Sequence, residues 1–182
     1  MNIPNILTLV RIGLIPCILV IYYLPYKWAS MAAAAVFLLA ALTDWLDGYL
    51  ARRLDQTTAL GAFLDPVADK LIVAVALVML TETYAEPYLT VPAVVIVGRE
   101  IVISALREWM AEMGKRASVA VSMVGKVKTG LQMTAIVVLL GAPPHTLLAQ
   151  LGVATLYGAA ALTLWSMWMY LRAAWPDLSK DL

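Results

Sequence analysis

Six apolar stretches alternate with short polar connectors along the whole chain. Each stretch holds about 20 residues, which as an α-helix is long enough to cross the hydrocarbon core of a bilayer. The connectors contain proline, glycine or charged residues, which favour turns and helix ends. This pattern predicts six transmembrane helices, over residues 6–24, 28–52, 60–82, 89–113, 121–140 and 147–170.

The composition agrees with a helical membrane protein. Of the 182 residues, 63% are hydrophobic and 14% are charged, whereas a soluble domain has roughly 45–50% apolar residues. The single Cys17 and single His145 exclude an intrachain disulfide and a zinc site built from cysteine and histidine. We find no linker, repeat or low-complexity stretch, so residues 1–182 are expected to form one all-α membrane domain, a bundle of six transmembrane helices.

Basic residues are distributed unevenly between the two predicted sides of the membrane. One side carries six in its connectors and tail, namely Arg52, Arg53, Lys115, Arg116, Arg172 and Lys180. The opposite side carries only Lys27. Because cytoplasmic loops are enriched in lysine and arginine, both termini are predicted to be cytoplasmic.

Four aspartates form two pairs inside the second and third predicted helices. Asp44 and Asp47 are three residues apart and Asp65 and Asp69 are four apart, so each pair lies on one face of its helix. Charged groups at membrane depth are costly and usually functional. If the two helices form a hairpin, the four carboxylates converge and require cations, and an all-oxygen site suits Mg²⁺, Mn²⁺ or Ca²⁺. Helical rise puts Asp44 roughly 12 Å below Arg52, so the site is expected to open toward the cytoplasm.

This region resembles the signature of the CDP-alcohol phosphotransferases. The pattern is D-x-x-D-G-x-x-A-R, eight residues, then G-x-x-x-D-x-x-x-D, and it is matched at Asp44, Asp47, Gly48, Ala51, Arg52, Gly61, Asp65 and Asp69. The resemblance implies six helices, with the motif bridging the second and third, and a homodimer. Further similar segments begin at Pro4, Gly98 and Gly125. They resemble members that transfer a phosphatidyl group from CDP-diacylglycerol to the 1-hydroxyl of sn-glycerol 3-phosphate in the bacterial inner membrane, releasing CMP.

The resemblance also implies roles for individual residues. Two Mg²⁺ or Mn²⁺ ions would be held by Asp44, Asp47, Asp65 and Asp69, with Asp69 also the general base. The CDP-lipid would be bordered by Asn5, Thr8, Gly48, Ala51, Arg52 and Gly61. Asn5, Thr8 and Arg11 share one broad face of the first helix, and their alternative reading is a helix cap followed by an arginine that extends to the membrane surface.

The acceptor would carry its own phosphate and would need fixed cations. Arg99 and Arg107 are expected on one broad helical face, with Glu100 orienting Arg107. Lys126 and Lys128 lie about 200° apart around their helix and cannot both point into one pocket by backbone direction alone. We favour Lys126 for the phosphate, while Lys128 stacks with Gln132 one turn later. The alternative is that these cations pair with glutamates or contact lipid headgroups, and the glutamates concerned are Glu100, Glu108 and Glu112.

Other functions would require other features in the sequence. Related enzymes use serine, choline, inositol phosphate or phosphatidylglycerol as acceptor. Several cations favour a phosphorylated acceptor but do not exclude inositol phosphate. Intramembrane prenyltransferases have two acidic motifs that lie far apart, whereas here both lie within residues 44–69. A divalent-cation transporter predicts inverted repeats and a second acidic cluster, and the sequence shows neither.

We expect CDP-diacylglycerol, glycerol 3-phosphate and membrane lipid as partners, and no nucleic acid.

Overall fold

A computed structural model describes the backbone of residues 3–54, 58–114 and 123–178. Within these ranges the side chains of residues 3, 4, 45–54, 59, 62, 123, 124, 126 and 176–178 are not described. The described residues form helices joined by short turns, and no strand occurs among them. The helices are α1 Ile3–Tyr22, α2 Ala29–Leu54, α3 Ala59–Tyr84, α4 Pro87–Glu112, α5 Met123–Gly141 and α6 Leu147–Leu178.

Each predicted span coincides with one of these helices. The largest difference is at α6, which continues to Leu178 although the apolar pattern ends near residue 170. The polar residues that end the apolar pattern do not end the helix, because arginine and alanine are good helix formers. Burial of Ala174 also shows that this last part of α6 still packs against the bundle.

Three helices in the described part of the chain are long and apolar enough to cross a membrane. The apolar segments are Asn5–Tyr22, Pro87–Glu112 and Leu147–Trp175. Shorter apolar segments occupy Ala29–Asp44 in α2 and Val127–Gly141 in α5. The chain is therefore an all-helical protein of membrane-like composition, while six crossings and the orientation of the termini stay predictions.

Local chemistry sets both ends of α3. Thr58 caps the start, because its Oγ1 accepts a hydrogen bond of 3.0 Å from the backbone N–H of Gly61, which satisfies a donor that has no partner within the helix. Ala85 ends the helix in the left-handed conformation with φ of 49°, and its N–H donates to the Thr81 carbonyl. Pro87 then begins α4, where its missing N–H is not needed.

The bundle contains an apolar core and a separate set of buried polar side chains. Fully buried apolar side chains from all six helices form the core, including Ile18, Phe37, Leu77, Ile96, Ile136 and Leu156. Helix α1 packs against α2 and α3, α5 packs against α2 and α6, and α4 packs against α6. Among the described residues, the buried polar ones are Asn5, Thr8, Arg11, Lys128, Gln132, Thr163 and Ser166. Five of these seven contact the aspartates of α2 and α3 or the charged residues of α4, or line a cavity with them, namely Thr8, Arg11, Lys128, Gln132 and Ser166. They mark the candidate site.

Candidate active site

Arg11 joins the acidic faces of α2 and α3. Its side chain is only 1% exposed, and Nη1 lies 2.9 Å from Asp44 Oδ1 and 2.7 Å from Asp69 Oδ1. One nitrogen therefore bridges a carboxylate from each helix, and the two carboxylates are about 40% exposed. Asp44 and Asp69 converge as the sequence predicts. Arg11 does not extend to the membrane surface, because its charge is satisfied inside the bundle.

The other polar residues on the same face of α1 contact the start of α3. Thr8 Oγ1 donates a hydrogen bond of 2.6 Å to Asp65 Oδ1. Thr58 Oγ1 donates one of 2.8 Å to Asn5 Oδ1. These contacts hold Asp65 and Thr58, the cap of α3, against α1. The face of α1 that is predicted to lie near the nucleotide therefore packs against the part of the motif on α3.

Gly61 lies where a side chain would not fit. A Cβ at this position would come within 2.7 Å of Asn5 Oδ1 and 3.2 Å of Thr58 Oγ1. Glycine therefore allows α1 and α3 to approach closely here, which agrees with a motif position that must lack a side chain.

Several predicted site residues lie outside the described side chains. These are Asp47, Gly48, Ala51, Arg52 and Lys126, and their roles stay predictions. Among the residues whose side chains are described, no three acidic, histidine or cysteine groups lie close enough to hold a metal ion. The described aspartates of the motif are thus Asp44 and Asp69 bridged by Arg11, with Asp65 held by Thr8.

A cavity of about 230 Å³ connects the acidic cluster to a group of cations. Its polar and charged lining residues are Asp44, Asp69, Lys70, Arg99, Glu100, Lys128, Thr129 and Gln132. The carboxylates of Asp44 and Asp69 therefore share this cavity with the cations Arg99 and Lys128 of α4 and α5. Such a cavity can hold a cation and an anion next to each other.

Glu100 positions the cations that face this cavity. Its Oε1 accepts hydrogen bonds of 2.9 Å from Arg99 Nη1 and from Lys128 Nζ. Arg99 also donates from Nη2 to Ser166 Oγ at 2.9 Å, and its guanidinium lies 5.9 Å from the centre of the Tyr170 ring, within the range of a cation–π contact. Arg99 is therefore held from both α4 and α6.

Lys70 contributes a third cation, although it follows Asp69 directly in the chain. Lys70 Nζ donates to Ser104 Oγ, and Ser104 Oγ donates to the Glu100 carbonyl at 2.6 Å. Lys70 has no role among the predictions from the sequence. The available signal was a charged residue inside an apolar span.

The structure separates the three predicted acceptor-binding residues whose side chains it describes, Arg99, Arg107 and Lys128. Arg99 and Lys128 line the cavity, and Lys128 is only 7% exposed. Arg107 is exposed farther along α4 and is not among the described residues that line the cavity. The expected pairing of Glu100 with Arg107 is replaced by pairing with Arg99 and Lys128. The reason is that α5 brings Lys128 close, whereas Arg107 lies two turns away along the helix.

Ser166 and Tyr170 are further residues that sequence reasoning missed. Both lie on α6, in a stretch that reads as an ordinary apolar span with a few polar residues. No local signal connected them with Arg99, because their contact depends on the packing of α6 against α4.

Comparisons with known proteins agree with these features. The model of the CDP-alcohol phosphatidyltransferase family matches residues 1–165. A protein of Pseudomonas fluorescens is 58% identical over 100% of this chain and 94% of its own length. Proteins of Sodalis glossinidius and Pectobacterium atrosepticum are 57% and 58% identical, over 98% and 97% of this chain and 97% of their own lengths. All three are named CDP-diacylglycerol–glycerol-3-phosphate 3-phosphatidyltransferase. The chain belongs to the CDP-alcohol phosphatidyltransferase family.

Proposed function

We propose that this protein transfers a phosphatidyl group from CDP-diacylglycerol to sn-glycerol 3-phosphate, giving phosphatidylglycerophosphate and CMP. The observation that carries this proposal is the single cavity shared by Asp44 and Asp69 on one side and Arg99 and Lys128 on the other. Both substrates carry phosphate, and the reaction must bring them together. The names of relatives at 56–58% identity over nearly the whole chain support the same reaction.

The acidic side of the cavity fits divalent metal ions, which this family generally uses. Carboxylate oxygens are the ligands that Mg²⁺ and Mn²⁺ prefer, and Asp44 and Asp69 lie close enough to share one Arg11 nitrogen. We propose two such ions, held by Asp44, Asp47, Asp65 and Asp69. When bound, they would neutralise the pyrophosphate and stabilise the departing CMP.

Asp69 is the proposed general base. It takes the proton from the 1-hydroxyl of the acceptor while that oxygen bonds to the phosphorus that carries diacylglycerol. The bond from this phosphorus to the CMP oxygen breaks, and its electron pair leaves with CMP. A carboxylate serves as base only when it is held within hydrogen-bond reach of the hydroxyl, and the bond of 2.7 Å from Arg11 to Oδ1 holds Asp69 in place.

The cationic side of the cavity would bind the phosphate of the acceptor. Arg99 and Lys128 are oriented by Glu100, and Lys70 lies beside them. We propose that Arg99 and Lys128 contact this phosphate, joined by Arg107 and Lys126 from the ends of α4 and α5. An arginine presents a planar pair of donors that matches phosphate, which favours a phosphorylated acceptor over serine or choline.

The CDP-lipid would lie against the start of α3. We propose that Asn5, Thr8 and Gly61 border it, with Gly48, Ala51 and Arg52 from the end of α2. The contacts of α1 with Thr58 and Asp65 support this place, because they set the first helix against the motif. Gly61 lets α1 approach the start of α3 closely, and Arg52 supplies a charge suited to the pyrophosphate.

We further propose a cellular setting and an assembly. The protein would cross the bacterial cytoplasmic membrane six times, with both termini and the active site on the cytoplasmic side, and it would form a homodimer. The apolar helices, the bacterial relatives and the uneven distribution of basic residues support the membrane location and orientation. The homodimer follows from the family resemblance alone.

One assay tests the proposed reaction. Purified protein in detergent is given CDP-diacylglycerol and Mg²⁺, with glycerol 3-phosphate, serine and inositol phosphate offered in parallel, and CMP and lipid products are measured. We expect CMP release and phosphatidylglycerophosphate with glycerol 3-phosphate only. Product formed preferentially with serine or inositol phosphate would assign the protein to another reaction of the same family.

A further inference from the structure

Gln132 occupies an uncommon position for a polar side chain. It lies on α5 one turn after Lys128, it is only 5% exposed, and it lines the cavity together with Asp69. Its Oε1 is buried and accepts no hydrogen bond from any described residue. An acceptor buried without a donor is destabilising. A ligand that brings a donor into the cavity would therefore gain binding energy from this one atom.

The neighbouring cations in the cavity donate no hydrogen bond to Gln132 Oε1, and their remaining N–H groups face the place proposed for the acceptor phosphate. Lys128 and Arg99 both donate to Glu100, and Lys70 donates to Ser104. A phosphate drawn to these cations presents mainly acceptor oxygens, whereas the carbon chain of the acceptor carries hydroxyl groups that can donate. The donor for Gln132 is therefore expected from a hydroxyl group of the bound acceptor.

The choice of hydroxyl rests on the proposed function and follows from the acceptor's own chemistry. In sn-glycerol 3-phosphate, carbon 3 carries the phosphate, which faces the cations. The 1-hydroxyl loses its proton to Asp69. The 2-hydroxyl is the one donor left between these two ends. We propose that Gln132 Oε1 accepts a hydrogen bond from the 2-hydroxyl of glycerol 3-phosphate, which makes Gln132 a specificity-determining residue.

This contact predicts discrimination against an acceptor that lacks the hydroxyl. The matched analogue is 3-hydroxypropyl phosphate, which keeps the phosphate, the three-carbon chain and the primary hydroxyl. A site built to bind a hydroxyl rejects the analogue without it, because the buried protein group is then left unpaired. The expected preference for glycerol 3-phosphate, as a ratio of kcat/KM values, is roughly tenfold to a hundredfold.

The experiment compares both acceptors on four proteins at saturating CDP-diacylglycerol and Mg²⁺, and a separate titration of CDP-diacylglycerol at saturating glycerol 3-phosphate gives its KM. The proteins are the wild type, Gln132→Leu, Gln132→Met and the control Gln150→Leu, whose glutamine is exposed on α6 away from this cavity. Wild type and control are expected to show the preference. Both Gln132 variants should lose most of it, through a lower kcat/KM for glycerol 3-phosphate, while the KM for CDP-diacylglycerol stays unchanged. Leucine and methionine are similar in size to glutamine, and each removes the buried acceptor Oε1 that has no donor among the described residues. Both variants are therefore expected to fold.

The outcomes separate the inference from the function beneath it. A wild type that makes no product with glycerol 3-phosphate contradicts the proposed reaction. A wild type that uses both acceptors equally well overturns the role of Gln132, whatever the variants do, and indicates that solvent satisfies its Oε1. Variants that keep the wild-type preference overturn it as well, because a purely structural glutamine would not change the ratio between two acceptors.

Discussion

Arg11 Nη1 on α1 donates a hydrogen bond of 2.7 Å to Asp69 Oδ1 on α3. The same nitrogen lies 2.9 Å from Asp44 Oδ1 on α2. The proposed base and a proposed metal ligand are therefore held by a cation from a third helix. Two carboxylates this close repel one another, and a buried guanidinium offsets that repulsion. The first helix thus supports the chemistry of a motif that lies wholly outside it.

Arg11→Met is expected to weaken both the fold and the activity. Removing one partner of a fully buried ion pair costs about 3–5 kcal/mol, and the cost here should be smaller because the carboxylates are about 40% exposed. Reversible unfolding in mixed micelles, with and without Mg²⁺, measures the loss. Mg²⁺ should restore part of the stability, since it supplies another cation to the same carboxylates.

Two comparisons make the Arg11 result specific. Arg11→Lys keeps a charge and should lose less stability than Arg11→Met. Arg172→Met removes an exposed arginine from α6 and should change stability by less than about 0.5 kcal/mol. An Arg11→Met variant as stable and active as the wild type would show that the bridge to Asp44 and Asp69 has no energetic role.

Asp69→Asn is expected to stop turnover while substrate binding continues. The amide still accepts the hydrogen bond from Arg11 but cannot take a proton from the acceptor, so kcat should fall by about 10²–10⁴-fold. CDP-diacylglycerol affinity, measured by titration, should change little. Glu82→Gln is the matched control, since Glu82 is exposed near the other end of α3. Substantial residual activity in Asp69→Asn would remove this residue as the base.

Gly61→Ala is expected to disturb the contact between α1 and α3. Its Cβ would lie 2.7 Å from Asn5 Oδ1, so the buried Asn5 must move and loses the hydrogen bond from Thr58. We expect destabilisation by about 1–3 kcal/mol and a raised KM for CDP-diacylglycerol. Gly158→Ala is the control, because a Cβ there meets nothing within 4 Å, and it should stabilise α6 by about 0.5–1 kcal/mol. Equal effects of the two substitutions would contradict the close approach.

Lys128→Met is expected to weaken binding of the acceptor more than binding of the lipid. Lys128 is buried beside Glu100, so its loss removes a charge from the phosphate side of the cavity. The KM for glycerol 3-phosphate should rise roughly 10–100-fold, as expected for a hydrogen bond to a charged group. Lys27→Met, at an exposed position between α1 and α2, should leave both KM values unchanged. A larger effect on CDP-diacylglycerol would place Lys128 on the nucleotide side.

Arg107 tests the acceptor site from a different position. Arg107→Ala should raise the KM for glycerol 3-phosphate more than the KM for CDP-diacylglycerol, although Arg107 is exposed and away from the cavity lining. The effect is expected to be smaller than that of Lys128→Met, because an exposed charge is screened by solvent. An effect mainly on the lipid substrate would assign Arg107 to the nucleotide.

The sequence predicted much of the site because its chemistry lies in regular helices. Asp44, Asp65 and Asp69 could be placed on helical faces from their spacing, and charges at membrane depth indicated function before any contact was known. The prediction that Lys126 rather than Lys128 contacts the acceptor phosphate used only the directions of the two residues around their own helix. The structure describes Lys128 as the buried cavity residue, while the side chain of Lys126 lies outside what it describes.

By itself, the sequence determined the helices, their apolar character and the acidic motif, since periodicity, turn residues and local spacing are properties of neighbouring residues. Only the tertiary structure decided which charges meet. Arg11 reaches Asp69 across 58 residues of chain, and Lys128 reaches Glu100 across 28. Such pairs depend on which helices pack side by side and how each is rotated, and packing of the whole core determines both.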